Sequence, residues 1–162
     1  MIICEPAANM VYLSPRQLKR NPAIFDRLVI EPNLRVRSEI YSGGAELVFH
    51  DCGELIPEMV EAFAHRLHPA MLSMGSSRKL WEDVRLVPDD VVLFGNLPTK
   101  NFYSDAAMPD ERVAELTREL VLNMRQARHP HILGSECDVL HVDESADSIR
   151  RKVELMLRLP VS

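Results

Sequence analysis

The sequence predicts an α/β fold with a parallel sheet, and three observations carry that reading. Short apolar runs alternate with longer segments of helical period. Each run is too short for a helix and is bounded by Gly, Pro or charged residues. The order strand, helix, strand, helix continues through five strands. Short continuous apolar runs mark strands buried on both faces, as in parallel sheets, and the alternation is that of βα units.

The first strand is Ile2 to Cys4. Ser14-Pro15 and Asn21-Pro22 each read as a cap followed by proline in the first turn of a helix. Pro32 is expected to start another helix, stopped by Gly43-Gly44. The second strand is Glu46 to Phe49, and Leu55 to Leu67 is a helix with Met59, Val60 and Phe63 apolar. Ala70 to Met74 and Val91 to Phe94 are the third and fourth strands. The segment after them, "GNLPTKNFYSDAAM" from Gly95 to Met108, is long for a compact domain, and such loops are functional or mobile.

Met108 to Arg128 is the clearest helix, with Val113, Leu116, Leu120, Val121 and Met124 on one face. His131 to Leu133 is the last strand, and Ser145 to Leu159 the last helix, with Ile149, Val153, Met156 and Leu157 expected to face inward. No repeat, low-complexity tract or long linker divides the chain, so 1–162 reads as one domain. A whole parallel barrel needs eight strands and about 250 residues. Five strands in 162 residues therefore suit either an open sheet or part of a barrel.

Composition narrows the function classes. The hydrophobic fraction of 46% and charged fraction of 27% are those of an ordinary globular protein. A net charge of -5, with no basic block and few aromatics, does not indicate a nucleic-acid surface. The apolar runs are far too short to span a bilayer, and the opening residues do not read as a secretory signal. Three cysteines, an odd number, argue against a disulfide framework and for a reducing cytoplasm, where thiols stay free for metal or catalysis.

The stretch "LVFHDCGELI" carries the chemistry. Side chains alternate along a strand, so His50 and Cys52 point one way and Asp51 the other. Parallel α/β folds place their sites at the carboxyl ends of strands, where His50 and Cys52 sit. Cys137 follows the last strand in "ILGSECDVL". One imidazole and two thiolates suit zinc, with a fourth position left for water or substrate. The competing reading is a chance HxC, with His50 bonded to backbone and the cysteines packed.

Other residues are weaker candidates. Cys4 ends the first strand and is expected to be a packed thiol, while His65, His68, His129, His131 and His141 are expected to be solvated or structural. Glu5, Glu54, Glu136 and Asp138 lie near strand ends as further ligands or partners of ligands. Asn96, at the end of the fourth strand, is placed either to orient a substrate or to brace the turn. The Arg78-Lys79 and Arg150-Arg151-Lys152 clusters read as solvated faces. Neither a P-loop nor a G-x-G-x-x-G occurs.

Taken together, "FHDCG", "LWEDVRLVPDDVVLFGNLP" and "HPHILGSECDVL" resemble the carboxyl-terminal part of the uroporphyrinogen decarboxylase superfamily. The opening "CEPAANMVYLSPRQLKR" resembles that family's acidic segment and "SP" helix start. The resemblance implies the last five or so strands of a TIM-type (β/α)8 barrel. It also implies the cobalamin-dependent methyltransferase branch, whose HxC and later Cys match His50, Cys52 and Cys137. The expected activity is transfer of a methyl group from a corrinoid protein to a thiol such as coenzyme M, with zinc as cofactor and Asn96 and Glu136 as catalytic candidates. Where that branch often has an acidic residue, "AMLSMGSS" offers Gly75 and Ser76, so the fourth ligand is not assigned. The family's barrel is about twice this length, which implies a fragment, a truncated gene product or a subunit completing its core by association. A decarboxylase acting on a tetrapyrrole, and a non-catalytic metal-binding or interaction module, are the two rival expectations.

Overall fold

A computed structural model of the chain describes residues 1–5, 8, 10, 12–140 and 142–159. Five strands form one all-parallel sheet: β1 (Ile2–Cys4), β2 (Val48–Asp51), β3 (Met71–Met74), β4 (Val92–Phe94) and β5 (His131–Ile132). Their spatial order is their chain order, β1-β2-β3-β4-β5, and the sheet does not close. Each connection is a crossover with helical segments, as parallel pairing demands.

The helices are α1 (Pro15–Arg20), α2 (Ala23–Phe25), α3 (Glu31–Ser42), α4 (Pro57–Ala62), α5 (Leu80–Asp83), α6 (Asp110–Ala127) and α7 (Ala146–Arg158). Ser14 caps α1 with a full capping box, its hydroxyl accepting from the Gln17 N–H while Gln17 accepts from the Ser14 N–H. Pro32 falls at the start of a helix, as expected. It sits in the first turn of α3, which runs on from α2 through a wide turn at Asp26–Ile30. That turn closes i to i+5 bonds, the Glu31 N–H donating to the Asp26 carbonyl. Gly44, at φ 74, ends the run in the left-handed conformation that glycine adopts freely.

β1 keeps its expected limits, and the limits of the other strands moved by two residues at most. The largest change is at β2, which the apolar run alone placed at Glu46 to Phe49 and which continues through His50 and Asp51. α5 lies where no helix was expected. The Gly95–Met108 segment holds a 3-10 turn at Thr99–Asn101 and buries Leu97, Thr99, Phe102 and Met108.

Alternation along the strands divides the sheet into two faces. Phe49, Leu72, Met74 and Leu93 are fully buried with the ring of Phe63, which packs 4.9 Å from Phe49 and 5.6 Å from Phe25. The residues alternating with them, Ile2, Val48, Met71, Val92, Phe94 and Ile132, are exposed or half-buried. One face is thus covered and the other open, which is unusual for a parallel sheet.

The two charged clusters read as solvated are so only in part: Lys79, Arg150 and Arg151 are exposed, whereas Lys152 and Arg78 are drawn in. Lys152 is fully buried on α7, donating to the Phe102 carbonyl at 3.1 Å and Ser148 Oγ at 2.8 Å, with Asp105 at 2.9 Å. Leu157, expected inward, is 64% exposed. Arg78 donates to Asp83 through Nε at 2.8 Å and to the Leu55 carbonyl at 3.1 Å, tying α5 to the loop before α4. Among the described residues no helix is long and apolar enough to cross a membrane.

Candidate metal centre

Register places four side chains in one row on the open face. Cys4 pairs with His50, His50 with Ser73, and Ser73 with Phe94. All four line an open cavity of about 390 Å³ at the carboxyl ends of the strands, with Ile2, Glu5, Cys52, Ser135, Cys137 and Asp138. The chain's three cysteines therefore border one space. Cys4, expected to be packed, is exposed there, on the edge strand β1.

His50, Cys52 and Cys137 form the group that sequence spacing pointed to. Their ligand atoms all lie within 4.8 Å of one another. The Cys52 and Cys137 sulfurs are 3.3 Å apart although 85 residues separate them. β2 and β5 stand three strand spacings apart, about 14 Å in a flat sheet. The chain beyond β5 closes that gap stepwise. Ser135 bridges to Leu97 beyond β4, the Glu136 N–H donates to the Leu97 carbonyl, and the Glu136 carboxylate accepts from the Ser76 N–H and hydroxyl beyond β3. Cys137 then arrives over the end of β2.

Several local features hold the donors in place. The Asp51 carboxylate accepts from the Gly53 N–H at 2.9 Å, bending the chain after β2 so that Cys52 turns toward the cavity. Gly75 lets the β3 loop press on that bend, since a Cβ there would meet the Cys52 carbonyl oxygen at 2.7 Å. His50 Nδ1 shares a 2.8 Å hydrogen bond with Ser73 Oγ, which leaves Nε2 as the coordinating nitrogen. Sequence reasoning missed Ser73, because cross-strand register is not written in the spacing.

Electrostatics follow burial. Burial lowers the His50 pKa, only partly opposed by Asp138, which favours the neutral imidazole that a metal requires. Burial pushes the Cys52 thiol up to about 11, and its hydrogen bond with Cys137 adds to the rise. Burial likewise raises Asp51 to about 7, with the Gly53 N–H opposing and Glu5 adding to it.

The remaining candidates separate clearly. Asn96 is buried and donates both amide hydrogens, to the Gly75 and Arg78 carbonyls at 2.8 Å each, so it braces the β3 loop. Glu136 is engaged by Ser76 rather than directed at the cavity centre. Glu5 and Asp138 line the cavity, and among the described residues no carboxylate joins the three-donor group. Glu54 is exposed, its carbonyl accepting from the Met10 N–H. His129 bonds the Val91 carbonyl at 2.9 Å and His131 the Gly95 carbonyl at 2.8 Å, both structural roles. His68 pairs with Asp90, His65 is exposed, and His141 lies outside the described residues.

The donor set fits a zinc-like ion. Tetrahedral coordination with the usual bond lengths puts two thiolate sulfurs about 3.8 Å apart, so the pair needs to open by only a few tenths of an ångström. No family model matches the chain, and no curated protein matches it in sequence.

Proposed function

We propose that this chain is the zinc-bearing part of a corrinoid-dependent thiol methyltransferase, built on part of a TIM-type (β/α)8 barrel of the uroporphyrinogen decarboxylase superfamily. The observation that carries the reading is the convergence of one imidazole and two thiols beside an open cavity, at the carboxyl ends of parallel strands. The resemblance of the HxC and later Cys supplies the reaction class. His50 Nε2 and the sulfurs of Cys52 and Cys137 would hold the ion, with Ser73 orienting the imidazole through its Nδ1. When bound, zinc supplies a Lewis acid beside the cavity, which eases loss of a proton from a thiol. The cavity accepts a small thiol, and the Glu5 and Asp138 carboxylates on its wall offer acceptors for that proton. The reaction class would pass a methyl group from a corrinoid on a partner protein to that sulfur, the carbon–sulfur bond forming as the cobalt–carbon bond breaks and its electron pair stays with the corrinoid. The open face would be the partner's side of approach.

A second reading, a metal-binding module that completes its core by association, is favoured by the open face and the unpaired outer edges of β1 and β5. Metal content and native mass on one sample test both. Stoichiometric zinc, lost in Cys52→Ser, together with methylation of a thiol by added methylcobalamin, supports the enzyme. Zinc without methyl transfer even beside a corrinoid protein supports the module. Tetrapyrrole binding independent of metal would instead favour the decarboxylase branch.

A further inference from the structure

Cys52 Sγ and Cys137 Sγ touch at 3.3 Å, and both thiols are free and half-buried on the wall of an open cavity. A disulfide needs about 2.05 Å between sulfurs, so movement on the order of 1 Å, within the reach of side-chain rotation, joins them. We propose that these two sulfurs form a reversible disulfide when the centre carries no metal and a hydroperoxide enters the cavity. The metal-loaded and oxidised forms are then alternative states of one pair of atoms. The switch rests on the metal reading above, whereas the cross-link rests on the sulfur contact alone.

The chemistry balances with hydrogen peroxide as oxidant. One cysteine sulfur attacks a peroxide oxygen, the O–O bond breaks, and a sulfenic acid and one water form. The second sulfur attacks the sulfenic sulfur, the S–S bond forms, the S–O bond breaks and a second water leaves. Two thiols are oxidised by two electrons and one peroxide is reduced to two waters. A bound metal engages both sulfurs and blocks either step. Cys4 borders the same cavity but lies outside the close group, so it is the control for mispairing.

The test uses the full chain, stripped with a chelator or loaded with zinc, and treated with one equivalent of hydrogen peroxide. In the stripped protein two of the three thiols are expected to disappear. Peptide mapping should link Cys52 to Cys137, Cys4→Ser should give the same link, and dithiothreitol should restore the thiols. Zinc loading should slow the reaction, because both sulfurs would then be engaged as metal ligands. A link through Cys4, dimers only, or higher oxidation of Cys52 without a link would overturn the cross-link. Equal oxidation of both samples, with the link formed, would overturn the switch while leaving the pair. Absence of zinc from the loaded sample, with the link still formed, would sink the metal reading alone.

Discussion

Ser73 Oγ lies 2.8 Å from His50 Nδ1, one strand away on the same row of the sheet, and is itself buried. The contact joins two residues 23 apart in sequence and decides which imidazole nitrogen faces the cavity. Losing it frees the ring to rotate. Ser73→Ala should lower zinc affinity about 10- to 100-fold while leaving the fold intact. Competition with a chromophoric chelator, alongside circular dichroism, checks this. An unchanged affinity would show that the hydroxyl does not orient the ligand.

Gly75 tests the bend that presents Cys52. A Cβ there would sit 2.7 Å from the Cys52 carbonyl oxygen and 3.2 Å from its Cα, both backbone atoms with little room to yield. Gly75→Ala should therefore cost about 1–3 kcal/mol, the usual range for overpacking. It should also weaken metal binding, because the displaced segment carries a donor. Denaturant unfolding and metal titration on the same protein read the two effects separately.

The covered face of the sheet turns on Phe63, fully buried between Phe25 and Phe49. Phe63→Ala should destabilise the chain by about 3–5 kcal/mol. The expected readout is a lower denaturation midpoint with an unchanged m value.

Asp105 gives a pH dependence with a definite sign. Its hydrogen bonds, first to Lys152 and then to Ser148, lower its pKa from 3.8 to about 2. A carboxylate depressed on folding contributes stability that is full above its unfolded pKa and is lost as pH falls through the folded one. Wild type should thus be more stable than Asp105→Asn at pH 7, and the gap should close between about pH 4 and 2. Thermal melts across that range measure it. A gap that persists at pH 2 would point to a role for Asp105 other than its charge.

The α/β order was legible because buried parallel strands leave short apolar runs, and all five were found with ends off by no more than two residues. His50 and Cys52 were legible because strand alternation puts i and i+2 on one side. Other features were not, each for a physical reason. Pro32 did mark a helix start, but the wide turn at Asp26–Ile30 by which α2 runs on into α3 leaves no residue signature. Lys152 falls at helical spacing between Ile149 and Met156, on the inward face, yet its charge argued for solvent. Its partners, Asp105 and the Phe102 carbonyl, come from a segment read as loop. Asn96 had two readings, and only coordinates reveal that both its amide hydrogens go to carbonyls of the β3 loop.

The 85 residues between Cys52 and Cys137 have a consequence for the chain as it is made. Synthesis delivers His50 and Cys52 early, and the third donor only after β3, β4, α6 and β5 have emerged. Before that point a nascent chain offers two donors, a poor hold on any ion. Metal uptake at this group would therefore be a late event that inspects the product: a molecule that stalls or misplaces β5 would stay unloaded. The metal-to-protein ratio of a preparation would count its correctly finished molecules.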